Sequence, residues 1–131
     1  MFRRANIVLL LLFLLASSQA VAEGMSTGIE FLRACTAVVK HADGIGVSPE
    51  EGVGSVYCLG YLSGFTDSVR LTAHFYKPQD QRICLPEQGA SNEQLARVVT
   101  KWLRDNPNDL HESTRLSVML ALQAAFPCKK N

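Results

Sequence analysis

The sequence predicts an all-α domain: an antiparallel four-helix, bundle-like fold closed by two disulfides. Three observations predict it. Apolar residues recur at three- and four-residue spacing, and no stretch shows the alternation of a strand. Helix-capping residues stand at the starts of two of these stretches. Four cysteines, Cys35, Cys58, Cys84 and Cys128, follow an export-type leader, and an even count in an exported chain reads as two disulfides.

The leader comes first. Met1–Asn6 holds Arg3 and Arg4 and no acid, Ile7–Ala16 is a short apolar run, and "SSQAVA" ends in the small-x-small pattern Ala20-Val21-Ala22. Charged start, apolar core and small-residue site make a secretory signal peptide, residues 1–22. The run is too short for a membrane span, which takes about 20 apolar residues. No cysteine follows the cleavage site, which argues against a lipid anchor. Cleavage after Ala22 leaves residues 23–131 as a single helical domain. That domain carries 11 Lys and Arg against 12 Asp and Glu, a net charge of −1. Without a basic excess, nucleic acid is not an expected partner. Without a second apolar span, neither is a membrane.

The first helix is expected from Thr27 to Ala42. Thr27 and Glu30 form a T-x-x-E capping box, and Phe31, Leu32, Cys35, Val38 and Val39 share a face. "DGIGVSPEE" interrupts it as a loop. The second helix is expected from Glu51 to Tyr76, stopped by Pro78. An irregular connection, "KPQDQRICLPEQGA", follows. In the third, Ser91 and Gln94 form an S-x-x-Q box and Leu95, Val98, Val99, Trp102 and Leu103 line one face. Asn106 and Pro107 end it and are expected to open the fourth helix, with Pro107 at its first position. That helix runs to about Phe126. It is apolar nearly all round from Leu116, hence expected to be the most buried of the four.

Cys35 lies about as far before the first loop as Cys58 lies after it, so a helical hairpin puts them at similar height. Cys84 precedes the third helix and Cys128 follows the fourth. This geometry favours Cys35–Cys58 and Cys84–Cys128, although spacing alone leaves three pairings open.

The stretch "CLGYLSGFTD", residues 58–67, puts Gly60, Gly64 and Asp67 on one face of the second helix. Two glycines cost a helix about 1 kcal/mol each relative to alanine. A flat glycine strip lets another backbone approach, whether from the first helix, the fourth, or a second copy of the chain. Under tight packing Asp67 would be partly desolvated and would need donors.

The order of motifs now carries a resemblance. "CLGYLSGFTD" gives C-x-G-Y-x-x-G with a following Asp. "ICLPEQGASNEQLARVVTKWLRDNPNDLHES" gives C-L-P-E, a V-V-x-x-W-L tail and N-P. "ALQAAFPC" closes the chain. Together they resemble the Rap/Tai group of immunity proteins, which neutralise type VI secretion amidase toxins, over roughly Cys35–Cys128. The resemblance implies a helical, disulfide-bonded periplasmic protein, often a homodimer, with no enzymatic activity and no cofactor. It further implies a papain-like (NlpC/P60-type) peptidoglycan amidase as partner, inhibited by occlusion of its active-site cleft.

A simple up-and-down bundle places the first and third loops at one end. That end would gather Asp43, Glu50, Glu51, Asp105, Asn106, Asn108, Asp109, His111 and Glu112, an acidic surface suited to plug a cleft that holds a catalytic histidine. Acids at helix starts also follow from the macrodipole alone. Lys77, Arg82, Lys129 and Lys130, against Asp80 and Glu87, mark the opposite end.

The remaining candidates read as structural. His41, His74 and His111 share no metal-ligand spacing. His41 is in a last helical turn, and His74 with Phe75 and Tyr76 is expected in a partly buried aromatic patch. Trp102 reads as core. No catalytic or metal-binding constellation is expected, since the cysteines are committed to disulfides. The reading from another functional class is a small periplasmic helical chaperone or lipid carrier. A carrier would need an apolar cavity.

Overall fold

The computed structural model describes residues 25–77 and 80–129; the signal peptide, Lys130 and the proline expected to stop the second helix lie outside them. Four α-helices make up the described chain: α1 Gly28–Ala42, α2 Pro49–Ala73, α3 Asn92–Asp105 and α4 Thr114–Ala125. The described residues include no strand, only an isolated bridge between Thr27 and Ser113. The all-α class and both disulfide pairings are as expected, with Cys35–Cys58 and Cys84–Cys128 formed.

Local chemistry sets the helix starts. Thr27 caps α1 through the reciprocal box with Glu30. An equivalent box that the sequence reading did not single out, Ser48 with Glu51, opens α2, with Pro49 in its first turn. At α3 the Ser91 hydroxyl accepts from the Gln94 N–H at 3.1 Å. The ends differ more. α2 stops at Ala73 rather than Tyr76. Pro107–Asp109 forms a single 3-10 turn, and α4 begins only at Thr114. Proline at a first helical position permits a helix but does not propagate one, and here the chain turns away to reach α1.

The core is built on the inward faces of all four helices. Phe31, Leu62, Leu95, Val99, Leu103, Val118 and Leu122 have no accessible surface beyond 1 %, each worth about 1.5–3 kcal/mol of burial. The Cys35–Cys58 disulfide sits among them, fully buried. α4 has the largest share of buried residues of the four helices, five of its 12, but it is not covered all round: Met119, Ala124 and Ala125 are exposed, so its apolar circumference exceeds what its neighbours cover.

α1 is central and packs against both α2 and α3. Lys40 meets Glu51 and Cys35 meets Cys58, so α2 runs antiparallel to α1. Asp43 meets Arg97, Thr36 meets Arg104, and the Ile29 and Gly28 amides donate to the carbonyls of Leu110 and Glu112. These contacts share one register, and α3 is antiparallel to α1 as well. A strict up-and-down bundle would make α3 parallel to α1. The short 43–48 and 106–113 connections force antiparallel neighbours. The longer 74–91 connection does not, and it brings the chain back so that α3 runs in the same sense as α2.

Candidate functional site

That helix order divides the expected acidic end in two. Asp43, Glu50 and Glu51 lie where α1 ends and α2 begins. Asp105, the last residue of α3, and Asn106, Asn108, Asp109, His111 and Glu112 in the connection from α3 to α4 lie where that connection is bonded to the start of α1. The 15 residues of α1 separate the two groups, about 21 Å at 1.5 Å per residue. The two loops therefore do not share an end, because α3 lies against α1 in the opposite sense to the one assumed.

Two members of the first group, Glu51 and Asp43, are already paired. The Glu51 carboxylate accepts from Lys40 Nζ at 2.6 Å and from the Ser48 N–H at 2.9 Å. Lys40 and then the Ser48 amide hold its carboxyl below the usual carboxylate range. Asp43 accepts from Arg97 at 2.6 Å and is lowered by that guanidinium. Arg97 also binds Glu93 on its own helix. Glu50 has no ion-pair partner among these contacts and sits in the first turn of α2.

The second group forms a braced loop. The Asn106 side-chain amide donates to the Trp102 carbonyl at 2.8 Å, and Asp105 is paired with Lys101 at 2.6 Å. Three backbone bonds tie the segment to the chain ahead of and inside α1: Gly28 to Glu112, Ile29 to Leu110, and Thr114 to Ser26. The Thr114 hydroxyl, buried, adds bonds to the carbonyls of Met25 and Thr27. His111 and Glu112 approach at 3.5 Å, with His111 well exposed. Asn108 is exposed and Asp109 half-buried. The loop presents polar side chains from a backbone that is fixed by hydrogen bonds.

The glycine face of α2 lies elsewhere again. Gly60, Gly64 and Asp67 are exposed, and a Cβ built on either glycine meets nothing within 4 Å. The strip therefore does not receive α1 or α4. The helix turns Gly54 to α1 instead, where a Cβ would stand 3.3 Å from the Ala34 Cα. Asp67 is not desolvated. Its partner is Arg70, one turn on, at 3.7 Å. His74, Phe75 and Tyr76 are likewise exposed rather than gathered in a buried patch, since α2 outruns α1 at that end.

Sequence reasoning missed an aromatic ladder. Tyr57, Tyr61 and Phe65 stack along α2 with successive ring centroids 6.0 and 6.4 Å apart, and Phe31 packs edge-on against both tyrosines. The i, i+4, i+8 spacing was the signal. The Tyr57 hydroxyl donates to the Met25 carbonyl at 3.1 Å. Burial pushes both phenols above their ordinary range. At the far end of α2, Phe65, Val69, Ile83 and Met119 line an open depression of about 240 Å³. This is not the enclosed apolar chamber that a lipid carrier would require. All four cysteines are in disulfides, so none offers a thiolate nucleophile.

The family model of Rap1a immunity proteins matches residues 27–128. The chain belongs to the Rap1a immunity protein family. The matched span starts at the Thr27 cap of α1 and ends at Cys128, so it takes in all four helices, both disulfides and both acidic groups. No curated protein and no solved structure matches the chain. Among the described residues of this Rap1a-family chain, no helix is long and apolar enough to cross a membrane.

Proposed function

We propose that this chain is a periplasmic immunity protein that binds a type VI secretion peptidoglycan amidase of the papain-like (NlpC/P60) class and occludes its active-site cleft. It acts by binding and is not an enzyme. The observation that carries the reading is the Rap1a match over nearly the whole of the domain. An export leader and two disulfides fit a periplasmic protein, the compartment in which a cell-wall amidase would act. A homodimer is the assembly that the resemblance implies.

The α3–α4 connection is the better of the two acidic groups for the contact. Its backbone is pre-ordered against α1, which lowers the entropy lost on binding. Among the described residues neither Asp109 nor Glu112 pairs with a lysine or arginine, whereas Asp43 and Glu51 are spent on Arg97 and Lys40. An acidic loop complements a cleft carrying a catalytic histidine, and charge complementarity speeds capture.

The test is a pull-down with the oxidised, exported chain, followed by inhibition of the captured enzyme. A small cysteine amidase held stoichiometrically, with its cell-wall hydrolysis abolished, is the expected result. Recovery of lipid or a spread of unfolded clients would replace this reading with that of a carrier or chaperone. Within the complex, Asp109→Lys combined with Glu112→Lys should weaken inhibition at least tenfold. Unchanged inhibition would remove the loop from the contact.

A further inference from the structure

The backbone carbonyl of Met25 joins two helices. It accepts from the Tyr57 hydroxyl of α2 at 3.1 Å and from the Thr114 hydroxyl of α4 at 3.0 Å. The next two residues extend the contact. The Ser26 carbonyl accepts from the Thr114 N–H at 2.9 Å, and the Thr27 carbonyl accepts from the Thr114 hydroxyl at 3.2 Å. An isolated bridge pairs Thr27 with Ser113. Met25–Thr27 is thus a strap, bonded to the end of the α3–α4 connection and gripped from α2.

The first two amides of α1 continue it. Gly28 N–H donates to the Glu112 carbonyl at 2.8 Å, and Ile29 N–H to the Leu110 carbonyl at 2.9 Å. The first amides of a helix have no acceptor within it, so the connection completes α1 while α1 fixes the connection. Within residues 106–113 themselves the bonds are single turns: Asp109 N–H to the Asn106 carbonyl, Leu110 to Pro107, Glu112 to Asp109. A lone hydrogen-bonded turn does not offset the entropy of ordering its residues. The order of this segment therefore comes from outside it.

Resting on the reading that this connection enters the amidase cleft, we infer that the Met25–Thr27 strap is its positioning element, with Thr114 coupling strap to loop and Tyr57 clamping the strap from α2. Thr114 is 3 % exposed, so little water competes for its hydroxyl. Its two side-chain bonds and its N–H hold three successive carbonyls of the strap. Tyr57 makes no hydrogen bond to the connection; its hydroxyl reaches the loop only through the Met25 carbonyl that it shares with Thr114. The strap sets how ordered the loop is before it meets its partner, and so how much of the contact energy survives as affinity.

The strap works through main-chain carbonyls, so the side chains of Met25 and Ser26 are secondary to it. What the arrangement requires is a hydroxyl at position 114 and another at position 57. Serine meets the first requirement. Valine has the shape of threonine without the donor and leaves the strap carbonyls short of a partner.

Amide hydrogen exchange of the oxidised, exported chain tests this without any partner. Thr114→Val should speed exchange across residues 106–113 about tenfold and leave the α3 amides around Val99 unchanged, and Thr114→Ser should restore the wild-type rates. Tyr57→Phe is the second variant: it removes one hydroxyl on another helix and should speed the same amides to a smaller degree. Against the captured amidase, Thr114→Val should weaken inhibition about tenfold, with rescue by Thr114→Ser. Added to Asp109→Lys with Glu112→Lys, it should weaken inhibition by less than it does alone, because a contact already lost cannot be mispositioned. Loop exchange indifferent to both Thr114→Val and Tyr57→Phe, or faster exchange spread evenly over all amides in both, overturns the inference. So does inhibition that holds at the wild-type level while the loop is loosened. A wild type that inhibits no amidase removes the toxin reading instead, and the exchange rates alone then decide the role of the strap.

Discussion

Arg97 on α3 donates to Asp43 at the end of α1 across 2.6 Å, a contact available only because α3 lies antiparallel to α1. The same guanidinium holds Glu93, one turn back. Both partners are about half exposed, so the pair registers the helices more than it stabilises them. A double-mutant cycle with Arg97→Ala and Asp43→Ala should give a favourable coupling that shrinks as salt is raised. A coupling indifferent to salt would mean that packing, not charge, sets the register.

Glycines in this chain should answer substitution in opposite directions. At Gly28 a Cβ would lie 2.9 Å from Ser117 Oγ and 3.2 Å from both Leu103 Cδ2 and the Leu110 carbonyl oxygen. Ser117 is itself buried and without a hydrogen-bond partner, so it has little room to yield. Gly28→Ala should destabilise by about 1–3 kcal/mol in urea unfolding. At Gly60 and Gly64 there is open space. Alanine at either should stabilise the dilute single chain by about 1 kcal/mol through helix propensity. A loss of stability there would place an unrecognised intrachain contact on the strip.

Acid should destabilise the fold in a defined window. Glu30 is lowered chiefly by the Thr27 amide, Asp43 by Arg97 and Glu51 by Lys40. Each carboxyl has a depressed folded pKa, so the unfolded chain binds more protons across the ordinary carboxylate range. The contribution is complete above that range and is lost as pH falls through the depressed values. Urea midpoints should hold steady from neutral pH to about 5 and decline below about 4. The triple variant Glu30→Gln, Asp43→Asn, Glu51→Gln should flatten that decline. An equally steep decline in the triple variant would assign it to other groups.

The two disulfides should separate under reductant. Cys35 and Cys58 are fully buried, whereas Cys84 is exposed. Limiting dithiothreitol, with thiols trapped by alkylation and located by mass, should open Cys84–Cys128 first. Replacing either pair by alanine should cost about 2–5 kcal/mol, with the Cys35–Cys58 pair at the upper end because its removal also leaves a cavity in the core. Opening of the buried pair first would show that α1 and α2 part more readily than the C-terminal staple.

The sequence by itself determined that there are four helices and where α1 and α3 begin, but not the end of α2 at Ala73 or the start of α4 at Thr114. Periodicity marked Phe31, Cys35, Leu95, Val99 and Leu103 as inward, and side chains within three residues of Thr27, Ser48 and Ser91 closed the helix starts, because these are local interactions. The disulfide pairing was legible too, since a short loop fixes the heights of Cys35 and Cys58, and the helix ends bring Cys84 to Cys128. What only the tertiary structure decided was which faces meet. Residues 74–91 are long enough to let α3 lie either way along α1, and no local rule chooses between them. Packing of Leu103 near Gly28, together with the bonds from Gly28 and Ile29 to the 110–112 backbone, chose the sense that parts Asp43 from Asp109. The same choice left Gly60 and Gly64 facing outward. A glycine strip announces that something can approach, but periodicity cannot name the neighbour, and within this chain α1 takes Gly54 instead.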